Sequence, residues 1–351
     1  MKFSVIIPVH NGAKYLASAV DSVLRQTNES GVDVDVVLVE NGSSDDSGKI
    51  CDEYAATYRI VTAFHRGRIG AYSARRLGME VASGEWLLFL DADDELCPGA
   101  IPELYRFLSG FSDRQKAPDI VFYNYERVSS SGKTIRTFPF VPAKVYEGED
   151  KKLFFDIMCQ GDLLNPLWNK CVKKELALIS LAEDEDIFLN HGEDLLQTAH
   201  FIDRAKSISY LDKTIYSYRC DNQGLTGRYH KEFLQNQKYA WGKLEEYAEK
   251  WATHPAEYDV MLKERKTLTT CIAAKTIVMS DLKRSVVFRT LTELFDDSFY
   301  RDYSTGDLPK WASEEDVFFH KLQLCKRPRN KFMSYFTKRR IKAFIKARIR
   351  K

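Results

Sequence analysis

The run W-L-L-F-L at residues 86–90 stops abruptly on Asp91, Asp93 and Asp94. A short, unbroken apolar run of this kind fits a strand buried on both faces of a sheet. Three carboxylates at its end repel one another and desolvate poorly, so they call for a cation. Alternation along an extended chain sends Asp91 and Asp93 to the same side. Hard oxygen ligands of this kind suit Mg²⁺ or Mn²⁺, shared with the phosphates of a substrate. The bland alternative is an acidic cap ahead of a helix at residues 98–108. An isolated D-x-D does not separate the two; its surroundings do.

Those surroundings alternate strand and helix. Residues 4–9, 34–39, 60–64 and 86–90 read as strands. Between them lie helical patterns at 14–25, from caps among 43–46 through 58, and at 71–82. In the first helix Leu16, Val20, Val23 and Leu24 face inward. Strands separated by helices imply a right-handed, mostly parallel α/β sheet. Each strand ends on polar residues: His10 and Asn11, Glu40 and Asn41, His65 and Arg66, Asp91 and Asp93. Open α/β sheets bind ligands at that edge.

Four ordered segments carry a resemblance: V-I-I-P-V-H-N-G, L-V-E-N-G-S-S-D, G-A-Y-S-A-R-R and F-L-D-A-D-D. Together, over roughly residues 3–110, the chain resembles the family 2 glycosyltransferases of the GT-A fold. Later, W-N-K at 168–170 and G-E-D at 192–194 resemble the bacterial polysaccharide branch of that family. Three positions depart from the pattern: Glu40 and Asn41 replace a pair of aspartates, and Arg76 replaces an asparagine.

The resemblance implies a nucleotide-sugar site built from Pro8, Val9, His10, Asn11, Glu40, Arg75, Asp91, Ala92, Asp93 and Arg228. Glu40 would accept the N3–H of a uracil, Arg75 would lie near the base, and His10 or Val9 would wall the ring. Asp91 would reach the ribose. Asp93, with Asp91, would hold a Mn²⁺ or Mg²⁺ ion against the donor's diphosphate. Asp194 would be the general base of an inverting transfer, with Glu193 as fallback and a helix N-cap as its bland alternative. Trp168 and Lys170 would stand on the acceptor side. Arg219, Arg228 and His230 are candidates to clamp the diphosphate, against plain solvated charge as the alternative.

The remainder of the chain predicts strands at 120–126 and 133–138, a helix at 149–158, strands at 207–210 and 215–219, and helices from 231 on. The acidic run at 183–186 reads as a solvated loop. The expected organisation is a GT-A catalytic domain at 1–225, halved at 110, then a helical region at 226–325 and a basic amphipathic tail at 326–351. Seven cysteines without a C-x-x-C pair predict reduced thiols in a cytosolic protein. Residues 4–9 are too short for a signal peptide's apolar core. No segment approaches the roughly 18 apolar residues of a membrane span.

The net charge of +2 averages two unlike parts. Residues 326–351 hold twelve of the 52 Lys and Arg and no acid, leaving 40 against 50 acids elsewhere. In 338–351, Ile341, Phe344, Ile345 and Ile349 recur at helical spacing, and Arg339, Lys342, Lys346 and Arg350 recur on another face. Phe332, Met333, Tyr335 and Phe336 read as further apolar anchors. The tail therefore predicts peripheral attachment to an anionic membrane surface at the cytoplasmic face, against packing on the acidic body. No base-reading fold accompanies the charge, so nucleic acid is not an expected partner. The function expected is an inverting, metal-dependent hexosyl transfer from a UDP-sugar to a glycan or polyprenyl-linked acceptor. A nucleotide-sugar-binding scaffold with decayed catalysis is the alternative, and retention of Asp91, Asp93 and Asp194 speaks against decay.

Overall fold

In the computed structural model, which describes residues 1–30, 32–111, 117–181, 188–220 and 229–349, the alternating pattern takes the following form. It runs β1 (Lys2–Val9), α1 (Leu16–Ser30), β2 (Asp33–Asn41), α2 (Ser47–Thr57), β3 (Val61–Arg66), α3 (Gly70–Val81) and β4 (Trp86–Phe89). Strands β1–β4 pair in parallel, in the order β3-β2-β1-β4. Register puts Val61, Val36, Val5 and Leu88 in one row across all four strands. All four are buried, as are Leu16, Val20, Val23 and Leu24 of α1. Each such side chain contributes roughly 1.5–3 kcal/mol by leaving water. That layer fixes the positions of the strand ends.

The sheet continues with β5 (Glu95–Leu96), α4 (Ala100–Ser109), β6 (Ile120–Ser129), β7 (Gly132–Arg136), β8 (Val145–Glu147), α5 (Lys152–Gln160), β9 (Lys170–Lys173), α6 (Lys174–Leu181), α7 (Glu193–Arg204) and β10 (Ser207–Arg219). Strand β9 runs antiparallel between β4 and β6, and β10 lies parallel to β6. The two strands expected at 207–210 and 215–219 are one. Its register with β6 shifts between Leu211 and Tyr216, with Asp212 and Lys213 exposed at the irregularity. A bulge there lets the first half pair with β8 and the second with β5. The polar cluster at 43–46 does not cap α2 by side chain at Asp46. Asp45 does so in part, its Oδ1 accepting from Ser47 N at 3.1 Å, while Ser43 Oγ and Ser47 Oγ accept from Asn11 N and Gly12 N at 3.0 and 2.9 Å, and Asp45 Oδ2 accepts from Ala13 N at 3.1 Å. Asn11 returns the tie, its Oδ1 accepting from Ser44 N at 2.8 Å.

The chain divides into two compact units, Met1–Met158 with Asp162–Asn222, and Cys159–Gly161 with Gln223–Lys351. The second is helical: α8 (Phe233–Trp251), α9 (Asp259–Met279), α10 (Arg284–Asp296), α11 (Ser298–Tyr303), α12 (Glu314–Gln323) and α13 (Pro328–Ile349). Its core joins Cys271, Ile277, Leu291, Tyr300 and Phe319 to Phe332, Met333 and Phe336. The tail therefore needs a correction. Residues 328–337 are not free apolar anchors, because Phe332, Met333 and Phe336 fill this core. The acidic run at 183–186 lies outside the described residues.

Candidate active site

The buried guanidinium of Arg75, on α3, is the centre of the site at 5% exposure. Its Nη2 meets Asp91 Oδ1 at 3.0 Å, and its Nη1 meets Glu193 Oε1 at 3.3 Å and Asp194 Oδ1 at 3.0 Å. Asp91 follows β4, whereas Glu193 and Asp194 open α7, about a hundred residues later. Two local devices bring these elements together. Ala71 N donates to Asn190 Oδ1 at 3.1 Å, and Tyr72 N to Leu189 O at 3.2 Å, so the start of α3 is hydrogen-bonded to the approach to α7. Gly70 has φ of 89° and a Cβ there would lie 3.0 Å from Leu189 O, so only glycine allows this approach.

Three carboxylates around one cation leave negative charge in a buried place. Burial, then repulsion from Asp194, pushes Glu193 up to about 7 despite Arg75. Burial also raises Asp194, while Arg75, Lys170 and the Leu167 N–H pull it back. Both carboxyl groups are thus lifted above their ordinary values, the direction that suits a general base at physiological pH. The linkage has a definite sign. Between the ordinary 4.5 of an unfolded glutamate and about 7, the folded chain holds a proton that the unfolded chain has released. This site's contribution to stability is therefore full below 4.5 and declines as pH rises to 7. Chemical denaturation at pH 5 and pH 7.5 should show that decline, and Glu193→Gln should flatten it.

The acidic turn after β4 is pinned from β10. Tyr216 Oη donates to Asp94 Oδ2 at 2.7 Å and accepts from Asp91 N at 3.2 Å. Arg219 N donates to Asp94 Oδ1 at 2.7 Å. Burial, with Asp91 next, pushes Asp94 up to about 8. Arg219 does not extend as a clamp: its Nη2 pairs with Glu95 at 2.9 Å, its Nε donates to Asp93 O at 3.0 Å, and it lies over the Tyr15 ring. Tyr216 and Glu95 were not singled out in the sequence, and Asp94 was read only as a strand-end acid beside Asp91 and Asp93. Only the second acid of the D-D pair hinted at them.

At the β1 and β2 ends, Glu40 is nearly buried. Burial raises its carboxyl, but hydrogen bonds from Ser43, His65 and Gly42 outweigh this and hold it low. Ser43 N donates to Glu40 Oε1 at 2.5 Å, and His65 Nδ1 stands 3.5 Å from Oε2. His10 Nδ1 lies 2.9 Å from Asn41 O, and a carbonyl only accepts, so Nδ1 carries the proton. Its Nε2 then accepts from Asn11 Nδ2 at 3.2 Å. Pro8 and His10 are partly exposed, whereas the Val9 side chain is wholly inside the core, so Val9 offers the site only its main chain. Ala92 approaches this loop: a Cβ on Gly12 would lie 3.2 Å from Ala92 Cβ.

The two residues expected on the acceptor side are placed differently. Trp168 is buried, stacked on Tyr216 at 4.6 Å and Tyr218 at 5.4 Å and edge-on to Tyr125 at 4.7 Å. Lys170 is fully buried, and its Nζ donates to Leu164 O and Thr198 Oγ1, each at 3.0 Å, and to Pro166 O. It braces segment 164–167 against α7, and burial pushes its ammonium well down. Its part is therefore positional, because burial leaves no surface for a sugar. Arg228 lies outside the described residues.

Among the described residues, no three His, Cys, Asp or Glu side chains already converge on one point. The donor set nonetheless fits a hard divalent ion shared with phosphates. Asp91 and Asp93 are partly exposed at the sheet edge, and their charges are among the causes that raise Asp94.

Comparison with known proteins gives a consistent picture. The family described as Glycosyl transferase family 2 matches residues 4–160. The chain is 26% identical over 239 residues to a putative glycosyltransferase, EpsH, of Bacillus subtilis (strain 168), covering 66% of this chain and 65% of that one. It is 34% identical over 127 residues to the glycosyltransferase GlyG of Streptococcus pneumoniae serotype 4, covering 35% of this chain and 40% of GlyG. The chain thus spans less than two thirds of the length of either relative. Among solved structures, S. aureus TarS 1-349 in complex with UDP-GlcNAc is similar in fold, with a TM-score of 0.51 at 18% identity over 96% of this chain and 89% of that one.

Proposed function

From the match of residues 4–160 to glycosyl transferase family 2, we propose that the chain belongs to that family and transfers a sugar, with inversion, from a UDP-sugar to a hydroxyl of a glycan or lipid-linked acceptor. One observation carries the reading. A single guanidinium, Arg75, ties Asp91 at the end of the D-x-D strand to Asp194 at the head of α7. The carboxylate assigned to the donor and the carboxylate assigned to the acceptor are thus held at a fixed separation.

In this proposal Glu40 accepts the N3–H of uracil with lone pairs that Ser43 and His65 leave free. The bound UDP-GlcNAc of TarS supports a uridine donor. Asp91 faces the ribose. Asp93, with Asp91, would hold Mn²⁺ or Mg²⁺, which supplies charge neutralisation on the departing diphosphate. Asp194 takes the proton from the acceptor hydroxyl as that oxygen bonds to the anomeric carbon. The bond from that carbon to the diphosphate breaks on the opposite face, and its electron pair leaves with UDP. Burial and Asp91 raise the basicity of Asp194 while Arg75 lowers it, and Lys170, bonded to Leu164 O and to Thr198 Oγ1 on α7, braces the segment that carries the Leu167 N–H.

Release of UDP from a panel of UDP-sugars, with a glycan or polyprenyl-linked acceptor, tests the proposal. Turnover should need Mn²⁺ or Mg²⁺, stop in excess chelator, and return when the ion is restored. Full activity in excess chelator would remove Asp93 from the metal role. Binding of UDP without turnover on any acceptor would favour the decayed scaffold.

A further inference from the structure

Helix α13 presents two apolar faces on opposite sides. Phe332, Met333 and Phe336 are buried in the helical core, whereas Ile341 and Ile345 are 53% and 50% exposed. The positions explain the difference. Ile341 follows Phe332, and Ile345 follows Phe336, by nine residues, which is two and a half turns of an unbroken helix. The face that carries Ile341 and Ile345 is therefore turned away from the core that holds the other.

Charge surrounds this outward stripe. Lys338 and Lys342 are exposed and lie three residues before Ile341 and Ile345 respectively, beside them on the helix surface. Arg339 and Arg340 fold back, donating to Ser280 O at 3.2 Å and Leu282 O at 3.0 Å. They anchor the middle of α13 to the body and leave its continuation projecting the isoleucines. The whole stretch 326–351 holds twelve cations and no acid. No helix among the described residues is long and apolar enough to cross a membrane, so any lipid contact by α13 is at the surface.

We propose that the second half of α13 docks on an anionic bilayer surface, with Ile341 and Ile345 entering the interface and Lys338 and Lys342 at the headgroups. Two branched aliphatic side chains with lysines beside them match that boundary, where stems bury and ammonium groups stay wet. The anionic leaflet supplies the counter-charge that this segment lacks. An acidic protein surface would satisfy the cations but would not explain isoleucines facing outward. Duplex RNA would leave them in water.

Because Phe332, Met333 and Phe336 belong to the core, truncation before α13 would unfold the helical unit, so the test uses full-length variants. Co-sedimentation is measured with vesicles of phosphatidylcholine alone, with vesicles containing 30% phosphatidylglycerol, and with duplex RNA. Wild type should pellet with the anionic vesicles only and release as salt rises. Lys338→Gln with Lys342→Gln should weaken partitioning by about 30-fold, each cation near a leaflet being worth roughly fivefold. Ile341→Ser with Ile345→Ser should weaken binding at every salt concentration. Both double variants should keep the wild-type unfolding midpoint. Absence of wild-type binding to anionic vesicles, binding that either variant retains in full, or binding to RNA alone overturns the proposal.

Discussion

Replacing Asp194 by asparagine is expected to lower sugar transfer by roughly 10²–10⁴-fold while UDP affinity stays near that of wild type. The amide keeps the shape and one acceptor oxygen, but it cannot take a proton. Asp194 sits on α7, whereas Glu40 and Asp91, the residues that meet the uridine in this proposal, lie at the ends of β2 and β4, so the two effects should separate. Transfer surviving in Asp194→Asn and lost in Glu193→Gln would move the base by one residue. Activity in both variants would leave neither as the base.

The second large effect is on stability. Arg75→Met should destabilise the fold by about 3–5 kcal/mol, because removing one partner of a buried ion pair strands the others. Here three carboxylates would face one another without their cation. The deficit should shrink towards pH 5, as Glu193 and Asp194, whose carboxyl groups burial raises, take up protons and stop repelling. A packing defect would be independent of pH. Arg75→Lys restores a charge but not the planar fork that reaches three partners, so it should recover only part of the loss. Denaturant titrations at two pH values measure both.

How far the sequence foretells this arrangement depends on the length scale of each signal. Long apolar runs such as Val36–Val39 and the inward stripe of α1 are local, and their period survives any tertiary context. The strand-end acids were visible because charge beside a buried strand is unusual wherever it occurs. Strands β5, β8 and β9, of two to four residues, are too short to show a period. They exist because neighbouring strands offer them partners. Lys170 is the sharpest case: the resemblance put it on the acceptor side, and nothing in W-N-K shows that the lysine is buried. Only the fold reveals that Leu164 O, Pro166 O and Thr198 Oγ1 converge on its ammonium. Arg75 was legible as a site residue, but the carboxylates that surround it come from segments far along the chain. The tail shows the same limit. Helical spacing sets Phe332 and Ile341 half a turn apart, but only the fold shows that the first meets a core and the second stays exposed.

The most direct test of the account is calorimetric titration of UDP, with Mn²⁺, into wild type, Asp93→Asn and Asp194→Asn. The account predicts saturable binding at one site in wild type, its loss or severe weakening in Asp93→Asn, and its retention in Asp194→Asn. No UDP binding by the wild type, or binding that Asp93→Asn leaves unchanged, would contradict it.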